Sequence, residues 1–313
     1  MKIVIPTAGF GKRLRPHTWS RPKPLLTVAD KPVLDHVLDM FTALPSIDEV
    51  IFIIGYLGDQ IEQHVASAYP KLETRFVKQT ELLGQSHAIW LAREGLEGPM
   101  LMAFVDTLID TDLSFLVKEE AEAVAWVKEV PDPRRFGVAK VETDGWVTRL
   151  IEKPEDMGEN LAVVGFYYFQ DAARLVSAID EQMERKVLLK EEFFLADAIN
   201  IMLDAGLKMR VEHVEAWNDC GTPSALLETN RYLLERGHDN SDDAARREDV
   251  VIVPPVFVAP SAKLLHSKIG PHVSIGEECV IENSSIQNSI IESGCRIKDS
   301  ELNASLLGKD VNV

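Results

Sequence analysis

The sequence predicts an α/β protein in two parts: a mixed sheet flanked by helices over residues 1–236, then a short parallel β-helix over residues 250–313. Three observations point there. Apolar runs alternate with helical patterns through the first part. A stretch nearly free of apolar side chains, Gly-His-Asp-Asn-Ser-Asp-Asp-Ala-Ala-Arg-Arg-Glu-Asp at 237–249, reads as a linker. Beyond it the aliphatic period changes to five or six residues.

The first part opens on Ile3-Val4-Ile5, a continuous apolar run of the kind buried on both faces of a parallel sheet. Further strands are predicted at 50–54, 75–78 and 100–105, separated by helical patterns at 33–44, 59–69 and 86–96. This alternation implies parallel strands joined by helical crossovers. After Asp106 the strands lengthen and become amphipathic, at 123–130, 137–142, 147–152 and 163–169, so the sheet is expected to turn mixed. Helices resume at 171–185 and 192–205, followed by a strand at 207–214 and a helix at 223–236.

In the tail, aliphatic residues fall at 252, 258, 264, 269, 275, 281, 286, 291, 297, 302, 307 and 313. Ser-x-Ile/Leu recurs from Ser267, Ser284, Ser289, Ser300 and Ser305, and Ile-Gly occurs at 269–270 and 275–276. Three such positions per coil make about four coils. Cys279 and Cys295 each stand two residues before an aliphatic position. They are expected to stack inward as buried small residues, not as a disulfide or metal pair. The repeat still runs at Asn312-Val313, so a longer stack or capping by a second copy is expected, and with it a homo-oligomer.

Composition narrows the function. A net charge of −17 argues against nonspecific nucleic-acid binding, which rests on excess Lys and Arg. No apolar run has membrane-spanning length, and the N-terminus starts a strand without signal-peptide features. Three cysteines are too few for a disulfide framework, so a cytoplasmic location is expected.

Against this acidic background, basic residues gather in one loop: Ala8-Gly9-Phe10-Gly11-Lys12-Arg13-Leu14-Arg15-Pro16, followed by Pro22-Lys23-Pro24-Leu25-Leu26. Glycines straight after a first strand let the backbone approach a phosphate, and successive N–H groups cradle an anion. Arg13 and Lys23 add positive charge there. It is not a Walker A loop, because Arg13 stands where Ser or Thr is needed. It is not a dinucleotide fingerprint, because Leu14 replaces the third glycine. Three further segments carry chemistry. Gln79 precedes Gly84 by five residues, and its side chain offers the donor and acceptor that pair with a pyrimidine edge; Gln85 competes for that role. Asp106 ends the strand at 100–105, where open α/β sheets bind ligands, and Asp219 lies in Trp217-Asn218-Asp219-Cys220-Gly221-Thr222. Glu152-Lys153-Pro154 ends one amphipathic strand, and Ala162-Val163-Val164-Gly165 begins the next.

These five segments resemble the sugar-1-phosphate nucleotidyltransferases (NDP-sugar pyrophosphorylases) over essentially the whole chain. The likeness is strongest to long-form glucose-1-phosphate thymidylyltransferases with a left-handed β-helix tail, with some resemblance to bacterial UDP-glucose pyrophosphorylases. The resemblance implies a Rossmann-like mixed sheet and attack of a hexose-1-phosphate, glucose-1-phosphate first, on the α-phosphorus of dTTP or UTP. It implies that Ala8, Gly9, Gly11 and Lys12 cradle the nucleotide phosphates and that Arg13 and Lys23 hold the departing pyrophosphate. Gln79 and Gly84 would recognise the base. Gly137, Glu152, Lys153 and Val163 would receive the sugar phosphate. Asp106 and Asp219 would hold Mg²⁺, with Asp110 and Asp112 as nearby alternatives better explained as turn and helix-cap residues. Lys12 replaces the family's small hydroxyl residue, Ala8 its first glycine, and Val105 the glycine that often precedes the first Asp.

The attacking phosphate monoester is largely ionised near neutral pH, its second pKa being about 6, so no general base is required. His87 is expected to be a satisfied helix residue. Competing readings are a regulatory nucleotide-sugar-binding subunit on the same fold, a GDP- or ADP-sugar pyrophosphorylase, and an acyltransferase β-helix using His266 or His272.

Overall fold

The computed structural model describes residues 1–189 and 191–313. The chain forms two compact units, Met1–Phe10 with Val37–Trp217, and Gly11–His36 with Asn218–Val313.

The first unit is built on a nine-stranded mixed sheet. Its continuous path runs Val147–Glu152, Gly137–Val141, Leu161–Phe169, Met100–Ala103, Lys2–Pro6, Glu49–Ile54, Thr74–Lys78. Lys2–Pro6 pairs in parallel with both Glu49–Ile54 and Met100–Ala103. Ile3, Val4 and Ile5 are fully buried, as a central strand covered on both faces requires. Leu161–Phe169 turns the sheet mixed by pairing antiparallel with Met100–Ala103 and with Ala123–Glu129. Met209–His213 then pairs in parallel with Ala123–Glu129. Trp126, fully buried, packs edge-on against Phe166 at 4.8 Å, and its indole N–H donates to Thr111 Oγ1 at 2.9 Å.

Several elements end sooner than the sequence pattern predicts. The helix expected at 86–96 is Gln85–Leu91, and that expected at 192–205 is Leu195–Asp204. Apolar periodicity continues past the hydrogen-bonded turns because residues such as Leu96 are buried without being helical. The strand expected at 100–105 stops at Ala103; the Phe104 N–H instead donates to the Gly165 carbonyl at 2.9 Å.

In the second unit, three short parallel sheets wrap into the β-helix that the repeat predicts. Two sheets have four strands and the third has three; beside the third, Arg296 bridges Asn312, and the Arg296 and Lys298 N–H groups donate to the Val311 and Val313 carbonyls. The arrangement fits the left-handed coil of hexapeptide-repeat proteins. Val256, Val258, Ile269, Val273, Ile275, Ile281, Ile286, Ile291 and Ile297 fill its interior. Corners fall on left-handed residues, among them Asn283, Asn288, Asp299 and Gly294, types that tolerate positive φ. The recurring serines have a structural reason. Ser267, Ser284, Ser289, Ser300 and Ser305 each donate to the carbonyl two residues before, across the corner. The oxygens of Ser267, Ser284 and Ser289 also accept the N–H of the serine one coil on. Cys279 and Cys295 are free, fully buried, and donate to the carbonyls of Glu292 and Gly308, so they are inward residues as expected.

Residues 237–249, read as a linker from composition, carry a folded cap. Ser241–Ala244 is a helical turn, with Ser241 and Ala244 buried. The Asn240 side chain donates to Val258 O and accepts from Val258 N, and the Val256 N–H donates to Ser241 Oγ. Polar side chains here act as strand-edge partners, which composition alone does not distinguish from solvated ones. Nearby, Asp30 lies 3.0 Å from His238 Nδ1 and 3.7 Å from His36 Nε2. His36 Nε2 sits 3.0 Å from the Val28 carbonyl, which can only accept, so that nitrogen carries the proton. This triad closes the hairpin of Thr27–Val28 and Lys31–Pro32.

Candidate active site

The glycine loop is held by its own packing. Gly11 has φ +59°, and a Cβ there would lie 2.9 Å from Thr18 Cγ2 and 3.3 Å from Lys23 Cβ. Only glycine fits both the conformation and the space. Thr18 Oγ1 donates to the Gly11 carbonyl at 2.9 Å, and Lys12–Leu14 forms a single 3₁₀ turn with Leu14 buried beneath it. Lys23 opens another such turn between Pro22 and Leu26, with Leu25 and Leu26 buried and Pro22 and Pro24 limiting the backbone. Gly11 and Lys23 are therefore neighbours. Ala8 and Gly9 belong to the other unit, where Ala8 is buried and packs so closely on Gly55 that a Cβ there would sit 2.7 Å from the Ala8 carbonyl.

Arg13 and Asp219 come together at Gly221. A Cβ on Gly221 would stand 2.7 Å from Arg13 Nη2 and 2.8 Å from Asp219 Oδ1, and the Gly221 N–H donates to Asp219 Oδ1 at 2.8 Å. The Asp219 carbonyl is fixed by Thr229 Oγ1 at 3.0 Å. Helix α1 (Pro223–Leu234) starts just beyond, capped by the Thr222 side chain.

In the sheet unit, Gln79 and Gly84 also meet. Gln79 is 6% exposed, and its Nε2 donates to the Gly84 carbonyl and to His87 Nδ1, both at 3.2 Å. Nε2 is thus engaged by two local partners. The Gln79 amide nitrogen can only donate, so His87 Nδ1 accepts; burial lowers the His87 pKa against the opposing pull of Glu81. His87 is thus a satisfied helix residue, and it also orients Gln79. The sequence pattern shows no sign of this link. Gln85, the competing candidate, accepts the Leu195 N–H at the start of a helix, which accounts for it structurally. Gly84, at φ +105°, admits the Phe193 backbone, which would lie 2.5 Å from a Cβ.

A third group forms around Lys153. Its Nζ lies 3.2 Å from Glu152 Oε1 and 5.1 Å from the Phe194 ring centroid. Lys153 has φ +49°, and its N–H donates to Phe136 O at 2.9 Å. Gly137 pairs with Glu152 across the sheet, and a Cβ on it would lie 3.0 Å from Glu152 Oε2. Asp197, in the first turn of Leu195–Asp204, has its pKa raised by burial and then by the Glu152 charge. Asp197 and Phe194 were not among the residues singled out by motif. Val163 lies where the pairing of Leu161–Phe169 with Ala123–Glu129 shifts register, two residues before Gly165 at φ +80°.

Asp106 sits half-buried in a turn closed by the Thr107 N–H on the Phe104 carbonyl at 3.0 Å. Asp112 accepts from the Ser114 N–H and hydroxyl in a local turn, while Leu113 stands at the cap of the following 3₁₀ turn. His272 lies 3.0 Å from Glu235 Oε1 and 3.2 Å from Asn288 Oδ1, while His266 is an exposed corner residue. Among the described residues, no helix is long and apolar enough to cross a membrane.

The family described as nucleotidyl transferase matches residues 2–236. Over its full length the chain is 30% identical to a glucose-1-phosphate thymidylyltransferase of Streptomyces griseus, covering 93% of that protein. It is 33% identical to the low-salt glycan biosynthesis nucleotidyltransferase Agl11 of Haloferax volcanii, covering 94% of it. A UDP-glucose pyrophosphorylase solved with UDP-glucose shares the fold, with a TM-score of 0.66 at 21% identity, over 75% of this chain and 98% of that one. The glycine-loop sheet, the paired polar groups and these similarities agree: the chain belongs to the nucleotidyl transferase family and is a sugar-1-phosphate nucleotidyltransferase with a β-helix tail.

Proposed function

We propose that this protein transfers a thymidylyl or uridylyl group from dTTP or UTP to a hexose-1-phosphate, glucose-1-phosphate being the favoured acceptor, and releases pyrophosphate. The convergence of Arg13 and Asp219 on Gly221 carries the reading. It puts a guanidinium suited to polyphosphate oxygens beside a carboxylate suited to a hard cation. Similarity to thymidylyltransferases along the full chain supports the choice of base and sugar.

In this reading Lys153 holds the phosphate of the incoming sugar, with Glu152 beside it for the sugar hydroxyls and Gly137 and Val163 lining the pocket. The phosphate dianion attacks without a general base. Arg13, Lys23 and the N–H groups of the loop from Ala8 through Gly9, Gly11 and Lys12 stabilise the departing pyrophosphate. Gln79 Oε1 accepts the N3–H of the pyrimidine, next to Gly84. Family members are generally divalent-metal dependent. The carboxylates of Asp106 and Asp219 are hard oxygen donors that fit Mg²⁺, which when bound would neutralise charge on donor phosphate oxygens. Arg13, Lys23, Asp106, Lys153 and Asp219 are all present, which favours an enzyme over a regulatory subunit.

Residues 1–236, which hold the family match at 2–236, are the catalytic domain in this reading, joined through 237–249 to the β-helix of 250–313. We place the enzyme in the cytoplasm and propose that it is a homo-oligomer. Light scattering tests the assembly; a monomer at micromolar concentration contradicts it. Asp219→Ala tests the chemistry: turnover falls about 100-fold or more while nucleotide still binds. Turnover equal to wild type would contradict the metal assignment.

A further inference from the structure

One residue of the β-helix breaks its own repeat. Ala259, Gly276, Glu292 and Gly308 occupy equivalent positions on successive coils, each directly following a strand of one sheet. Three are small, and at Gly276 a Cβ would stand 2.7 Å from the Ser293 N. Glu292 is the exception, a carboxylate only 3% exposed. Burying such a charge is costly unless it is paired and hydrogen-bonded. Here it is: Glu292 Oε1 accepts the Thr27 N–H at 2.8 Å, and Oε2 accepts from Arg21 Nη1 and, at 3.3 Å, from Thr27 Oγ1.

Arg21 and Thr27 bracket Pro22-Lys23-Pro24-Leu25-Leu26. Both ends of the Lys23 segment are therefore tied to one carboxylate within the same compact unit. Inside the segment, two prolines and the hydrogen bonds Leu25 N to Pro22 O and Leu26 N to Lys23 O leave little freedom. A shift of either end carries Lys23 with it, away from its seat beside Gly11. A role confined to stabilising the coil would not require the bonds to converge on this segment.

We propose that Glu292 is a positioning residue: the β-helix, through this buried carboxylate, sets the place of Lys23 in the phosphate-holding loop. The proposal rests on the assignment of Lys23 to the leaving pyrophosphate. It makes the tail a working part of the catalytic loop as well as an assembly element. Misplacing a catalytic group by about 1 Å costs up to about 100-fold in rate, which sets the scale expected here.

The test is a mutant cycle on the full-length protein, read as pyrophosphate release from dTTP or UTP with glucose-1-phosphate. Glu292→Ala lowers kcat about tenfold or more, with the KM for the sugar phosphate unchanged. Glu292→Gln, which keeps an acceptor for Thr27 but turns an N–H donor toward Arg21, loses less kcat than Glu292→Ala and more than about threefold against wild type. Adding Glu292→Ala to Lys23→Ala costs no more than about twofold beyond Lys23→Ala alone, because the two act through one group. If Glu292→Ala does not fold, Arg21→Gln cuts the same link from the other side and lowers kcat in the same way. Wild-type turnover in a folded Glu292→Ala, or a fully additive double variant, overturns the proposal while leaving the Lys23 assignment standing. Wild-type turnover in Lys23→Ala overturns that assignment and the proposal with it.

Discussion

Arg13 Nη2 and Asp219 Oδ1 both border the space that a side chain on Gly221 would fill, 2.7 Å and 2.8 Å from its Cβ. The absence of a side chain there lets a cation and an anion share one edge of the site. Gly221 is not in the left-handed region, so alanine is compatible with its backbone. Both clashing atoms are side-chain ends that can move. Gly221→Ala is therefore expected to fold with stability within about 1 kcal/mol of wild type while losing at least about tenfold in kcat/KM. Thermal melts and steady-state kinetics on one preparation separate the two effects; full activity would mean that the convergence has no catalytic role.

Gln79 offers a test of base recognition. Gln79→Glu keeps the shape but replaces the N–H donor with an oxygen facing the Gly84 carbonyl and His87 Nδ1. An unmade buried hydrogen bond costs about 1–3 kcal/mol, so the KM for dTTP or UTP should rise about tenfold with a smaller change in kcat. An unchanged KM would remove Gln79 from the base pocket.

The pH dependence of stability has a defined sign. Burial, more than any other influence, holds the His36 pKa down to about 4; Asp30 and the Val28 carbonyl pull it upward, and Lys31 and His238 add to the lowering. The unfolded chain takes up this proton near pH 6.5, the folded one only near 4. Acidification through that window therefore favours unfolding, by at most about 1.4 kcal/mol per pH unit from this group. His17 and His87 are lowered by burial as well and act in the same direction. Apparent Tm should drop between pH 6.5 and 5, and His36→Gln should flatten that slope. A Tm that stays level across this range contradicts the assignment.

The serine ladder predicts a local energetic effect in the tail. Ser284 Oγ donates to Glu282 O and accepts the Ser300 N–H. Ser284→Ala leaves that N–H without its partner and should destabilise the β-helix by about 1–2 kcal/mol with little change in turnover. Denaturant unfolding measures it, and a neutral result would mean that solvent replaces the bond.

Much of this architecture is legible in the sequence because its signals are local and periodic. Ile3-Val4-Ile5 reads as a buried strand and is one, and the five-to-six-residue step of the tail reproduces its coils. The neighbours Gln79 and Gly84, and the group of Gly137, Glu152 and Lys153, follow from motifs whose members lie close along the chain or across one pair of strands. What escapes the sequence depends on distant partners. Nothing near Glu292 announces Arg21 or Thr27, 271 and 265 residues away. His87 looks like any helix residue until its ring is found on Gln79. The polar run at 237–249 looks solvated because composition does not reveal that Asn240 and Ser241 complete strand edges. Helix ends such as Leu91 are hidden from the sequence pattern because buried apolar residues continue past the last helical turn.

The most direct test of the account is pyrophosphate release by the purified protein with Mg²⁺, using five nucleoside triphosphates against a panel of sugar-1-phosphates. Turnover is expected with dTTP or UTP and glucose-1-phosphate, abolished by chelation. Turnover with GTP or ATP alone would contradict the role given to Gln79. Silence across the panel, with nucleotide sugar still bound, would contradict the transfer reaction itself.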